Sequence, residues 1–143
     1  NTGVGKTFLT NCIAKELIDQ GYFVVYLSAI KLFDILSDAT FGFNKHESEE
    51  ASISNLIKNL YSCDLLIIDD LGSEMHTSFV QSALYQLVNG RLMDGKKTII
   101  NTNLQMEDIA ARYGAAIASR LEGEYQMLPF FGEDIRRLKR ERG

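Results

Sequence analysis

The 143-residue sequence is poor in the residues that staple or break a chain, with two Cys, one Pro and no Trp. Two cysteines cannot build a disulfide scaffold, and a single proline argues against collagen-like or linker-like composition. Long apolar runs are also missing. The longest candidates, residues 23–27 and 65–68, have the length of strands, far short of the ~18 to 20 residues of a membrane helix. Cys12 and Cys63 both stand in apolar stretches, as reduced core thiols do, and no signal-peptide pattern precedes the first motif, so the cytoplasm is the expected compartment. His46 and His76 have no neighbouring ligand set, and no zinc is expected. Positive charge is scarce as well: 15 Lys and Arg stand against 19 Asp and Glu, a net charge of −4. Residues 1–111 carry 8 basic and 14 acidic side chains and residues 112–143 carry 7 and 5, so any contact with a polyanion is local. What remains, at 45% hydrophobic, suits one globular domain with a single core.

Apolar Leu9, Cys12, Ile13, Leu17 and Ile18 recur at helical spacing and Gly21 supplies a stop, so residues 6–20 read as a helix. Residues 23–27 follow as a buried strand and residues 30–37 as a short helix. Residues 40–50, with Gly42, Asn44 and an acidic cluster at Glu47, Glu49 and Glu50, read as an exposed loop. Ile53, Leu56, Ile57 and Leu60 form a further helical stripe. A second strand, 65–68, ends in Asp69-Asp70, and residues 77–93 form a longer helix with Val80, Leu84, Leu87 and Val88 inward. Residues 98–100 make a third strand ending in Asn101-Thr102-Asn103. Two short helices are expected between Met106 and Leu121, then a strand near residues 125–130 and a charged helix from about Glu133 to Arg140. Helices alternating with continuous apolar strands predict an α/β fold with a parallel sheet covered on both faces.

The chain opens on Asn1-Thr2-Gly3-Val4-Gly5-Lys6-Thr7, which satisfies G-x-x-x-x-G-K-[ST] everywhere except the leading Gly, the residue that would precede Asn1. Gly3 and Gly5 let the backbone wrap closely, so that successive N–H groups and a helix N-terminus face a phosphate. Lys6 can then reach the β- and γ-phosphates, and the Thr7 hydroxyl can ligate Mg²⁺. Thr2, Gly3, Val4, Gly5, Lys6, Thr7 and Phe8 are therefore the candidate segment for ATP or ADP. A dinucleotide fingerprint fails, because Phe8 stands where a third glycine is needed. At the end of the second strand, Asp69 suits Mg²⁺ through water and Asp70 suits orienting or deprotonating an attacking water. Glu74, four residues on, is a second candidate base.

Together these motifs, with residues 65–74 and Thr98-Ile99-Ile100-Asn101-Thr102-Asn103-Leu104, resemble the AAA+ ATPases of the DnaC/DnaI replicative-helicase-loader group and the related IstB-type transposition helpers. The resemblance runs over essentially the whole chain. It implies a three-layer αβα P-loop NTPase with a central parallel sheet and no separate lid domain. It also implies a first strand and a helicase-binding region upstream of Asn1, so that the chain is an ATPase core cut inside its phosphate-binding motif. In that family the polar residue ending the strand after the acidic one touches the γ-phosphate or the water; it maps to Asn103, with Asn101 the alternative. Ile117-Ala118-Ser119-Arg120-Leu121 resembles the segment whose arginine enters a neighbouring subunit's ATP site, which makes Arg120 the candidate finger for self-association. A surface pair with Glu122 or Glu124 is the competing reading, and Ala116 stands where relatives carry a further arginine. Phe131-Gly132-Glu133-Asp134-Ile135-Arg136 resembles the region whose arginine contacts the nucleotide from the same subunit, which maps to Arg136. The implied partners are a replicative DNA helicase and single-stranded DNA. The DNA contact falls at residues 30–59, where Lys31, Lys45 and Lys58 are spread out and Phe33, Phe41 and Phe43 can stack bases or simply pack.

Overall fold

A computed structural model describes residues 3–42, 47–132 and 140, which form an alternating α/β arrangement. In chain order the elements are α1 (Lys6–Asp19), β1 (Val24–Ser28), α2 (Ala29–Phe41), α3 (Glu47–Ser62), β2 (Leu65–Leu71), α4 (Ser78–Met93), β3 (Lys97–Thr102), α5 (Met106–Tyr113) and α6 (Ala115–Glu124). The three strands pair in parallel in the order β1-β2-β3.

The sheet is buried on both sides because β2 is apolar at every position from Leu65 to Ile68. Leu65 and Ile67 join Ala14, Ile13 and Leu17 of α1. Leu66 and Ile68, pointing the other way as the two-residue strand period requires, join the larger core built from α2 and α4 to α6, including Leu32, Leu84, Leu87, Val88 and Ile117. The result is the expected three layers, with the C-terminal ends of all three strands at one edge.

Local chemistry sets the element ends. Gly21, at φ 88, takes the left-handed position after α1, and its N–H and that of Tyr22 bond back to Ile18 and Leu17, closing the helix. Ser28 caps α2 by accepting from the Lys31 N–H, and Thr77 caps α4 by accepting from Val80. Gln105 and Asp108 form a capping box at α5.

Three expectations are corrected. The acidic cluster at Glu47, Glu49 and Glu50 lies in the first turn of α3, where negative side chains complement the positive end of the helix dipole, and α2 runs on to Phe41, so most of the predicted loop is helix. Residues 126–130 form no strand: no ladder pairs them with a described strand, and without a ladder the apolar pattern alone does not make a strand. Cys12 is exposed on α1, while Cys63 is buried as expected. The expected helix at 133–140 lies outside the described residues, apart from Arg140.

Candidate functional site

Four side chains, from α1, β2 and the residue following β3, meet at the C-terminal edge of the sheet. The turn into α1 uses left-handed backbone at Gly3 (φ 71) and Gly5 (φ 96), a region that costs residues with a Cβ. Gly5 is the N-cap of α1 and no side chain caps the helix, so its first N–H groups keep the polarity that favours an anion. Lys6, the first residue of α1, donates from Nζ to Asn103 Oδ1 at 2.7 Å. Thr7 donates from Oγ1 to the Asp69 carboxylate, 3.2 Å from Oδ1 and 3.1 Å from Oδ2, across 62 residues of sequence.

Behind this first line stands a buried layer. Asn101 donates from Nδ2 to Asp69 Oδ1 at 2.9 Å and to Thr10 Oγ1 at 3.0 Å. Thr10 in turn bonds back to the carbonyls of Lys6 and Thr7 and shares a 3.2 Å hydrogen bond with the Tyr26 hydroxyl. Burial raises the Tyr26 pKa, and the negative charge of Asp69 pushes it further the same way. Thr10 and Tyr26 were not singled out from the sequence; their signal is weak, a threonine one turn into α1 and a polar ring in an apolar strand.

Asp70 is held unusually. Between Ile68 and Leu71 the β2 register advances three residues while β3 advances two, and Asp70, the extra residue, has φ 59. A non-glycine residue in that region stores strain that persists only where its surroundings enforce it. Asp70 is exposed at the sheet edge. Glu74 departs from expectation: its side chain is 3% exposed, and its carboxylate accepts from the Gly72 N–H and the Tyr113 hydroxyl. These partners give the Glu74 carboxylate a structural place in the interior, in contrast to the exposed Asp70.

Phe8 is 75% exposed at the start of α1. Arg120 is exposed on α6, at the border of the face that buries Ile117, Ala118 and Leu121. Among the described residues Arg120 forms no ion pair, so the surface pairing with Glu122 or Glu124 is absent. Thr2 and Arg136 lie outside the described residues, as do Phe43 and Lys45. Phe33 is a core residue and Phe41 packs edge-on against Phe79, with ring centroids 5.1 Å apart.

Mg²⁺ fits the donor set. The Thr7 hydroxyl and Asp69 carboxylate are hard oxygens already within 3.2 Å of each other, and Mg²⁺ is held by one or two protein oxygens, with water and phosphate completing the shell. Among the described residues no cluster of three or more His, Cys, Asp or Glu side chains is placed to hold a metal. No described helix is long and apolar enough to cross a membrane.

The IstB-like ATP binding protein family matches this sequence over residues 1–142. The chain belongs to that family. It is similar to the replicative helicase loader DnaC of Escherichia coli K12, with 29% identity over 119 residues, which are 83% of this chain and 46% of DnaC. The chain thus spans about half the length of the curated relatives it matches. A crystal structure of the DnaC helicase loader superposes with a TM-score of 0.76 and 23% identity, over 92% of this chain and 75% of that one. AMPPCP-bound DnaA from Aquifex aeolicus superposes with a TM-score of 0.72 and 21% identity, over 99% of this chain and 41% of DnaA. This IstB-like chain therefore has the α/β fold of the AAA+ P-loop NTPases.

Proposed function

We propose that this IstB-like protein binds and hydrolyses ATP with Mg²⁺ and acts as a helicase-loader ATPase, assembled head to tail so that Arg120 enters a neighbour's site. The observation that carries this reading is the contact of Thr7 with Asp69, which joins the phosphate turn to the acidic strand end.

The turn at Gly3, Val4 and Gly5 presents backbone N–H groups to the phosphates, and Lys6, freed from Asn103 as phosphate oxygens take its place, neutralises their charge. Thr7 and Asp69 hold Mg²⁺, which when bound neutralises charge on the β- and γ-oxygens. Asp70 orients the attacking water and accepts its proton. Asn103, carrying both a donor and an acceptor, spans phosphate oxygen and water, while Asn101 keeps the Asp69 carboxylate in its orientation. Arg120 of a neighbour, and Arg136 of the same chain, stabilise charge in the transition state. Similarity to the replicative helicase loader DnaC supports a replicative helicase as partner; single-stranded DNA as the surface of action and the cytoplasm as the compartment belong to the same proposal.

Lys6→Ala should abolish ATP binding measured by fluorescence of a labelled nucleotide, and Arg120→Ala should keep binding but lose about 10³-fold in turnover. Unchanged binding in Lys6→Ala contradicts the site, and undiminished turnover in Arg120→Ala contradicts the finger. The resemblance to IstB-type transposition helpers gives the same ATPase an alternative role; co-purification with a transposase in place of a helicase selects it.

A further inference from the structure

Glu74 is an acid in the interior that the proposed chemistry does not use. Its Oε2 accepts from the Gly72 N–H at 2.9 Å. Its Oε1 accepts from the Tyr113 hydroxyl and lies 3.5 Å from Nε of Arg112. Arg112 reaches further, donating from Nη2 to the Glu74 carbonyl, while its own carbonyl accepts from Gln81 Nε2 of α4 at 2.8 Å. A buried carboxylate–guanidinium pair adds little net stability, because desolvation offsets the attraction. What a satisfied buried network does supply is a single geometry.

That geometry has two ends. On one side is the turn from Asp70 to Glu74, in which the Ser73 N–H and hydroxyl both bond to the Asp70 carbonyl, at 3.2 and 2.7 Å. Gly72, at φ 107, lies in the same turn. On the other side Tyr113 ends α5, and after Gly114 the chain enters α6, which carries Arg120.

Resting on the ATPase reading above, we propose that Glu74 is a positioning residue. Through the Gly72 N–H it holds the left-handed turn that aims Asp70, and through Tyr113 and Arg112 it clamps that turn to the helices bearing Arg120. The group that orients water in one site and the group offered to the next subunit then belong to one rigid unit.

The test uses Tyr113→Phe, which removes one donor to Glu74 at nearly constant volume, with Glu74→Ala as the stronger variant, in the full-length protein. Turnover should fall about tenfold in Tyr113→Phe while the ATP Kd changes less than about twofold, the split expected when only alignment is lost. Amide hydrogen exchange should accelerate together in residues 70–74 and in α5 and α6. Unchanged exchange in α5 and α6 overturns the clamp, as does a loss of ATP affinity equal to the loss of turnover, which marks general loosening. Exchange decides the clamp even if Lys6→Ala shows that ATP binds elsewhere, so the two readings fail separately.

Discussion

Asp70 and Arg91 show how far a single residue can depart from its type. Asp70 occupies left-handed backbone at a register break, a cost that the surrounding turn must carry. Arg91 is a fully buried cation on the inner face of α4. Its Nε donates to Thr98 Oγ1, Nη1 to the carbonyls of Leu60 and Tyr61 and to Cys63 Sγ, and Nη2 to the carbonyls of Cys63 and Lys97. The guanidinium fork thus satisfies the end of α3 and the start of β3 at once, a task lysine cannot match. Burial raises the pKa of the Cys63 thiol, and the neighbouring Arg91 charge opposes that rise. Arg91→Leu leaves several buried carbonyls unpaired and should lower unfolding stability by about 3 kcal/mol. Urea unfolding of the variant measures this, and a loss below about 0.5 kcal/mol contradicts the role.

Tyrosines stand where elements meet. Tyr26 joins β1 to α1, and Tyr113 joins α5 to the turn after β2. Burial raises the pKa of Tyr113 first, with the Glu74 charge and hydrogen bond adding to it, and burial also raises Tyr61 and Tyr125. Unfolded tyrosine ionises near 10, so above that pH the unfolded state loses protons that the folded state keeps, and stability falls as pH rises. The melting temperature should drop between pH 9.5 and about 11, and Tyr113→Phe should flatten the drop; an equal slope in both proteins contradicts the assignment. At this scale much was legible. The uniform apolar run of β2 and the stripe of α4 announce themselves by period, and Gly21 and Thr77 mark the ends of their helices. Other features were not. Glu47, Glu49 and Glu50 look alike in a solvated loop and in a first helical turn, and the difference lies in the dipole they meet. An apolar stretch such as 126–130 is a strand only if a neighbour pairs with it. Arg91 interrupts an apolar stripe, and only the carbonyls of two distant segments explain it.

For the whole molecule the main consequence is how the site is assembled. Lys6, Thr7, Asp69 and Asp70 were each proposed from spacing along the chain, because a P-loop and a strand end have fixed chemistry, whereas Asn103 came from the family resemblance. Thr10, Asn101 and Tyr26 were harder, since the sheet brings them together across up to 91 residues. Arg120 is exposed on α6 and is offered to a neighbour, so under the proposed mechanism a complete site needs two copies. Mixing two inactive variants examines that claim directly. Arg120→Ala keeps an intact ATP site but offers no arginine, and Lys6→Ala offers the arginine but binds no ATP. An equal mixture should recover about a quarter of wild-type turnover, because random head-to-tail assembly pairs an intact site with an intact arginine at one interface in four. Turnover in the mixture that stays at the level of the separate variants would contradict a site shared between subunits.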